Sequence, residues 1–468
     1  MRSNFILINI FIFTILTVVF SCKEPIKKAP ISNTYTKYVG GIQINEASQT
    51  EWAKTLKDCG MNLAQVTAYA KQGDWDSDHL WWEDSDTTHV INEIRAIRAE
   101  GVHVMLVLRV ALQHNHQKNK FKWHGMIFPK DDSLRKEWFY RYSYFVEMWS
   151  KICEREGVEI FAIGSEMNAL TATEEIEELP YLLEYFSNEN KQRNYLSRVF
   201  KHKSNLTEEN LWVRGFENYN SEEEYIQDKI MEQKKWADVI CHTDAKYPIS
   251  LMNEERAQLN QYWKNIIARA RKEFTGQITL AANFDNYHEV DFWDSLDCIG
   301  INAYFPLRKF RKNAFNSKDL DLSLAEGWTE VIENIESFKR KKGFESKPIF
   351  FTEIGYTPKK GATIVPWQGD GFSLLSNDLI DTLVVWKNVE VHPTERTMAI
   401  KALHQVVREN DFPLLGLSYW KLTSHDYHRG HEPFMLHLDP KQPDSSITAL
   451  AEFMKQPATS LKTKNITE

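Results

Sequence analysis

Residues 159–166 read "EIFAIGSE", a short apolar run that ends on the carboxylate of Glu166. Runs of this length that are apolar on both faces are typical of parallel strands covered by helices. A second run, "PIFFTEIG" (348–355), has the same form and carries Glu353 near its end. An unpaired carboxylate is costly to bury, so each Glu is expected to have either a partner or a chemical task.

Six further apolar runs of strand length complete a set of eight; they lie at 38–45, 62–69, 103–110, 278–284, 297–304 and 414–420. Apolar residues at helical spacing fill most of the gaps, as in 87–100, 134–152, 255–274, 324–341 and 394–410. Alternating strands and helices predict an α/β fold, a single (β/α)8 TIM barrel over residues 38–455. The polar segment 169–250, with a helix at 221–237, is predicted to be an insertion after strand four that overhangs the catalytic face.

Composition limits the classes of partner. The net charge is −8, which argues against nucleic acid and anionic membrane surfaces. Cys59, Cys153, Cys241 and Cys298 each stand alone, without the spacing of a zinc site, and are predicted to be free thiols. We expect a monomer that needs no cofactor and no metal.

The first 22 residues have the form of an export signal: Arg2, an apolar run from Phe5 to Phe20, and then Cys22. The ending "VVFSC" resembles the lipobox of bacterial lipoproteins, which implies lipidation of Cys22; an ordinary signal peptide cut nearby is the alternative. Residues 23–37 are then a tether, and 456–468 form a C-terminal tail. The expected location is the bacterial envelope, lipid-anchored at the outer membrane.

Functional residues of such barrels cluster at the C-terminal ends of the strands, where Glu166 ends strand four and Glu353 ends strand seven. The two carboxylates could form a salt-bridge network, a metal site, or the acid and nucleophile of a retaining glycosidase. In the last case they would stand about 5–5.5 Å apart. The pKa of the proton donor would be raised, while the nucleophile stayed ionised.

Other strand ends offer residues that could bind substrate: Tyr304, Trp420, Arg109, Asn283, Asp285 and Asn45. The Tyr304 phenol could hydrogen-bond the nucleophile and keep it ionised, and Trp420 could form the floor of a sugar subsite. Arg109 could support a catalytic carboxylate or substrate hydroxyls. Ordinary packing is the alternative for the two aromatic residues, and a structural ion pair is the alternative for Arg109.

Three stretches, "FAIGSEMN" (161–168), "DCIGINAYFPL" (297–307) and "PIFFTEIGYTP" (348–358), together resemble glycoside hydrolase family 113, whose characterised members are β-mannanases. The resemblance implies that Glu166 is the acid/base and Glu353 the nucleophile. One departure is Ser165: the broader clan usually has Asn there, in contact with the sugar 2-hydroxyl. That contact must be supplied differently or be absent.

The sequence therefore predicts a retaining glycoside hydrolase that cleaves a β-linked polysaccharide, with β-mannan and endo action favoured. Exo action on another β-glycan, or a surface lipoprotein that binds glycan without turnover, are the alternatives. A metal-dependent hydrolase would draw on the His residues of "SHDYHRGHEPF" (424–434), whose spacing matches no familiar site.

Overall fold

The structure is a computed structural model. It describes residues 37–113, 115–119, 123–171, 189–201, 219–241, 256–308, 320–367, 373–377, 380–385, 391–425 and 432–455. The predicted signal segment with Cys22 and the predicted tail at 456–468 lie outside these residues.

Eight parallel strands form a closed barrel, as predicted. They are β1 (Tyr38–Gln43), β2 (Leu63–Gln72), β3 (His103–Leu112), β4 (Ile160–Ser165), β5 (Gln277–Asn283), β6 (Ile299–Asn302), β7 (Ile349–Ile354) and β8 (Leu414–Thr423). Each strand pairs with the next along the chain, and β1 pairs with both β2 and β8. The eight runs read from the sequence correspond to these strands.

The barrel closes where β1 meets its two neighbours. Pairing between β1 and β2 is short, running from Gly40 opposite Leu63 to Ile42 opposite Gln65. A Cβ on Gly40 would overlap the Leu63 carbonyl oxygen, so only glycine permits this approach. Beyond Ile42 the two strands are no longer paired, whereas β2 continues along β3 as far as Gln72. The wall is thus unpaired between β1 and β2 at the C-terminal end.

Helices cover the barrel. They are α1 (Gln49–Asp58), α2 (Asp84–Ala99), α3 (Asp132–Glu156), α4 (Asn168–Thr171), α5 (Glu189–Lys201), α6 (Glu222–Cys241), α7 (Arg256–Glu273), α8 (Leu320–Lys342), α9 (Pro393–Glu409) and α10 (Ser445–Ala451). Local sequence sets their ends: Asp131 caps α3 by accepting from Leu134 N at 2.9 Å, and Gly157 ends it at φ +71°.

Two apolar layers hold the structure together. One fills the gap between strands and helices and includes Trp52, Trp138, Trp263 and Trp328, all fully buried. The other fills the barrel itself; it comprises Leu63, Met105, Val107, Ile160, Ala162, Ala281, Cys298, Phe350 and Leu415. Because side chains alternate along a strand, these residues also mark which positions farther along each strand face the lumen.

The sequence reading differs from the structure at several elements. Helices α1 and α10 were not predicted, and the connection 284–298, expected to be helical in a regular barrel, contains only two 3-10 turns. Within the predicted insertion, the described parts include α5 and α6, the second of which matches the helix expected at 221–237.

The thiols of Cys59, Cys153 and Cys298 are free, as predicted, while the side chain of Cys241 lies outside the description. Among the helices that the structure describes, none combines the length and the apolar character required to cross a membrane.

Candidate active site

Glu166 and Glu353 both lie at the C-terminal ends of barrel strands. Glu166 follows the last residue of β4 and adopts a left-handed backbone conformation, with φ +50°. Its N–H donates to the carbonyl of Ala281 at 2.9 Å, which fixes the residue to β5. Strained conformations at non-glycine residues tend to occur at functional sites, because the surrounding structure must offset their cost.

Glu353 is held on both carboxylate oxygens. The Tyr304 hydroxyl donates to Oε2 at 2.9 Å, and the guanidinium of Arg109 contacts Oε1. Only 4% of the Glu353 side chain is exposed. A carboxylate buried between a cation and a phenolic donor is stabilised in its ionised form.

Tyr304 and Arg109 are themselves fixed by burial and packing. Burial raises the pKa of Tyr304 well above its usual value, so the phenol remains a donor. The Arg109 guanidinium lies 4.8 Å from the centre of the half-buried Trp420 ring, a cation–π contact. Arg109 follows Met105 and Val107 at the period of a strand, which places this charge on the lumen side.

Asn302, the last residue of β6, bonds one carboxylate and lies on the strand beside the other. It is the register partner of Glu353, and its amide Nδ2 donates to Glu166 Oε1 at 2.9 Å. Thr352 Oγ1 donates to the Asn302 oxygen at 2.7 Å, so the amide nitrogen must face Glu166. One fully buried side chain thus spans the distance between the carboxyl at β4 and the strand that carries the other.

Glu166 has a second neighbour, His124, whose Nε2 lies 3.2 Å from Oε2. Burial alone would raise the pKa of Glu166. The contact and charge of His124, the charge of Arg109 and the hydrogen bond from Asn302 outweigh burial and lower this pKa to about 2. This direction is opposite to the one expected for a proton donor, and the His124 imidazole, which was not predicted, is the strongest of the groups that lower the pKa.

Four more polar residues lie around Glu166. Ser165 is fully buried with its Oγ 3.4 Å from Asn302 Nδ2, so it offers no group to a sugar hydroxyl. Asp285 accepts from Asn168 Nδ2 at 3.3 Å, and burial together with the Glu166 charge raises its pKa. The amide oxygen of Asn283 accepts from the N–H of the next residue, Phe284, at 2.9 Å, which is a local contact at the end of β5.

The remaining candidate, Asn45, lies apart from the carboxylates. It is exposed, with φ +41°, and lines a cavity of about 310 Å³ that it shares with Trp420. Among the described residues, no group of three or more His, Cys, Asp or Glu side chains could hold a metal ion. Most of the His-rich segment 424–434 lies outside those residues. His425, which the structure does describe, has its Nε2 3.4 Å from Oε2 of Glu46.

Two residues of this site were not predicted from the sequence. Asn302 stands two positions before Tyr304 in "INAY", so strand alternation gave a signal that both face the mouth. His124 lies in a 3-10 turn after β3, within the loop sequence "FKWHG" (121–125). Loop residues have no periodicity from which the direction of a side chain can be predicted.

The model of Glycoside Hydrolase Family 113 matches residues 34–179 and 249–376. The two matched segments cover more than half of the chain, and the unmatched stretch between them falls inside the segment read as an insertion. No curated protein matches the chain significantly.

Solved structures share the fold at low identity. The GH113 β-mannanase of Alicyclobacillus acidocaldarius, solved with ManMIm, is 14% identical, with a TM-score of 0.51 over 90% of this chain and 97% of that one. A structure of a GH113 β-1,4-mannanase is 15% identical, with a TM-score of 0.54 over 90% and 99%. The family match confirms the resemblance read from the three motifs: the chain belongs to glycoside hydrolase family 113 and is a glycoside hydrolase built on a (β/α)8 barrel.

Proposed function

We propose that this glycoside hydrolase cleaves a β-linked polysaccharide with retention of configuration, by endo action on β-1,4-mannan. The observation that carries the proposal is the pair of carboxylates at the C-terminal ends of β4 and β7, one bonded to Asn302 and the other held by Arg109 and Tyr304. Retaining enzymes hold two such carboxyl groups about 5–5.5 Å apart, whereas inverting enzymes hold them farther apart to leave room for water.

In the first step Glu353 attacks the anomeric carbon, and the bond to the leaving oxygen breaks as Glu166 gives that oxygen a proton. Arg109 and Tyr304 keep Glu353 ionised until its oxygen bonds to the sugar. In the second step Glu166 takes a proton from water, whose oxygen attacks the anomeric carbon and releases Glu353. The protons balance over the two steps, because Glu166 ends each cycle protonated.

The low pKa of Glu166 belongs to the site without substrate. The contact and charge of His124 are the main causes that lower it. A sugar that occupies the space beside Glu166 excludes water, and this raises the free energy of ionising that carboxyl. The proposal therefore requires bound substrate to raise the pKa of Glu166.

β-Mannan is proposed as substrate because three similar solved structures are named as β-mannanases of the same family, two of them as β-1,4-mannanases. At 14–15% identity these structures support the fold, and the substrate comes from the family by analogy. The deciding experiment measures reducing ends released from mannan, glucomannan, cellulose and xylan by the full chain. Glu353→Gln runs beside the wild type.

Release from mannan or glucomannan by the wild type alone is the expected result. Release from another glycan alone would mean that this glycan, and not β-mannan, is the substrate. Products that are a mixture of oligosaccharides rather than one sugar would support endo action. Binding to a glycan without release, by a folded protein, would contradict the proposal and leave a glycan-binding barrel.

We also propose that Cys22 carries a lipid that anchors the barrel at the outer membrane, with residues 23–37 as tether. The support is the sequence "VVFSC" at 18–22. Changing Cys22 to Ser is expected to move the protein from the membrane fraction to the soluble fraction of the envelope. An unchanged distribution would show that the chain is anchored differently.

A further inference from the structure

The cavity beside Trp420 lies where the barrel wall is open. It is lined by Ile42 to Asn45 of the β1 end, by Gln65, Thr67 and Tyr69 of β2, and by the first turns of α2. Pairing of β1 with β2 stops at Ile42 and Gln65, so the cavity passes between the two strands towards the helices. Buried Trp149 of α3 also lines it, on the side of the helices.

Gln65 is the unusual residue of this cavity. It is 1% exposed, and neither its amide nitrogen nor its oxygen has a hydrogen-bond partner among the described residues. Leu63, two positions earlier, belongs to the core inside the barrel, so the Gln65 side chain lies on the lumen side as well. Buried polar groups are rarely left unpaired, since each one costs the protein stability.

Gln72 on the same strand gives the contrast. It is also fully buried, but its Nε2 donates to the carbonyls of Asp74 at 2.8 Å and Ser77 at 3.0 Å. Its Oε1 accepts from Trp138 Nε1 at 2.8 Å. The fold therefore uses the amide of Gln72 and makes no use of the amide of Gln65.

The charges around the cavity favour a neutral ligand. The lining residues Lys421 and Asp86 are already paired. Lys421 Nζ is 3.0 Å from Glu432 Oε2, and Asp86 Oδ2 is 3.3 Å from Lys71 Nζ. Glu93 is buried; burial raises its pKa, and it accepts from Gln43 Nε2 at 3.1 Å. An anionic ligand would lie beside the Glu93 carboxyl, and Lys421 would not offset its charge because Lys421 is already paired with Glu432.

The cavity also adjoins the catalytic centre. Trp420 lines it and stacks with Arg109, which contacts Glu353. At about 310 Å³ it is at the small end of ligand pockets, which span about 300–1,000 Å³, and so it suits one sugar ring rather than a chain. Half-exposed Tyr69 adds an aromatic face at the rim.

We infer that this cavity is a carbohydrate subsite that holds one terminal, uncharged hexosyl unit of the substrate, with its hydroxyls on the amide of Gln65. The inference rests on the proposed function and names a second part of its binding site. Because the cavity has room for one ring, the chain does not continue beyond the unit that it holds. Such a unit is either a single-sugar branch on the backbone or the end of the chain.

Binding by calorimetry tests the inference without turnover, in the full chain carrying Glu353→Gln. The ligands are a linear β-1,4-manno-oligosaccharide and the same backbone with one galactosyl branch. Adding Gln65→Leu is expected to weaken binding at least tenfold for the ligand whose terminal unit enters the cavity. Weakening for the branched ligand alone identifies the branch, and equal weakening for both identifies the chain end.

Gln72→Leu is the matched control, the same change on the same strand. It is expected to lower the melting temperature and leave affinity unchanged, whereas Gln65→Leu leaves the melting temperature unchanged or higher. Thr67→Val, in the same cavity, is a second variant that should weaken binding of the same ligand.

Unchanged affinity in Gln65→Leu and Thr67→Val would overturn the inference, because water alone would then fill the cavity. A fall in melting temperature for Gln65→Leu as large as for Gln72→Leu would also overturn it, since Gln65 would then be bonded within the fold. Turnover of mannan by the wild type is measured separately. If that turnover occurs while Gln65→Leu binds normally, only the inference fails and the proposed function stands.

Discussion

The two proposed catalytic carboxylates share one barrel mouth but have different surroundings. Glu353 is 4% exposed and lies between Arg109 and Tyr304, two groups that stay in one protonation state near neutral pH. Glu166 is 15% exposed, stands on a left-handed backbone, and contacts His124, a residue whose charge can change.

This difference matches the two roles. A nucleophile must be ionised throughout, and fixed donors on both oxygens achieve this. An acid/base must lose and regain a proton in each cycle, which needs neighbours whose interaction can change. The difference supports the proposal that Glu353, with fixed donors on both oxygens, is the nucleophile and that Glu166 is the acid/base.

The largest effect is expected from Glu353→Gln. The amide keeps the shape but cannot form the glycosyl-enzyme bond, so kcat on the glycan should fall by about 10⁴-fold or more. Initial rates of reducing-end release, with circular dichroism to verify the fold, measure this. Turnover near that of the wild type would remove Glu353 from the role of nucleophile.

Glu166→Gln should lower the rate on the natural glycan by about 10²- to 10⁴-fold, the usual contribution of general acid catalysis. A dinitrophenyl glycoside has a leaving group that needs no proton, so its first step should be almost unaffected. Burst kinetics separate the two steps. If both substrates lost rate equally in the first step, Glu166 would not be the proton donor.

Tyr304→Phe removes one hydrogen bond to the Glu353 carboxylate. A hydrogen bond to a charged group contributes about 1.5–3 kcal/mol, which corresponds to a loss of roughly 10- to 100-fold in kcat/KM. Tyr419→Phe is a matched control, because this buried hydroxyl donates to the Tyr356 carbonyl at 3.0 Å. It should lower stability and leave kcat unchanged; equal losses of kcat in both variants would mean that Tyr304 acts through packing.

The smallest effect is a shift in pH dependence from His124→Gln. The contact and charge of His124 lower the pKa of Glu166, so replacing the imidazole with a neutral amide should raise that pKa. A proton donor with a higher pKa stays protonated to higher pH, and the alkaline limb of kcat/KM should move upward. An alkaline limb at the same pH in both proteins would mean that His124 does not control the acid.

Many of the residues around the two carboxylates could be predicted from the sequence, because the C-terminal ends of all eight parallel strands lie at the same end of the barrel. Eight apolar runs set the barrel, and residues at their C-terminal ends must meet at one mouth, which brought Glu166, Glu353, Tyr304 and Arg109 together. Asn302 carried the same signal as Tyr304, two residues away. It was missed because a short polar side chain at the end of a strand is common.

Other features could not be read from the sequence. His124 lies in a turn whose direction depends on the packing of its loop, and its presence reverses the expected pKa shift of Glu166. Asn283 ends β5 and Asn45 lies just beyond β1, but an amide at a strand end can bond its own backbone or face a gap in the wall. That gap depends on where pairing of β1 with β2 stops, which is a property of tertiary structure.

Retention by the Glu166/Glu353 pair is tested most directly by the configuration of the product. Proton NMR can follow the hydrolysis of a β-manno-oligosaccharide by the wild-type chain and record which anomer appears first. Double displacement through Glu353 predicts the β-anomer first, followed by slow mutarotation to the α-anomer. If the α-anomer appeared first, a single displacement by water would be at work, and Glu353 would not be the nucleophile.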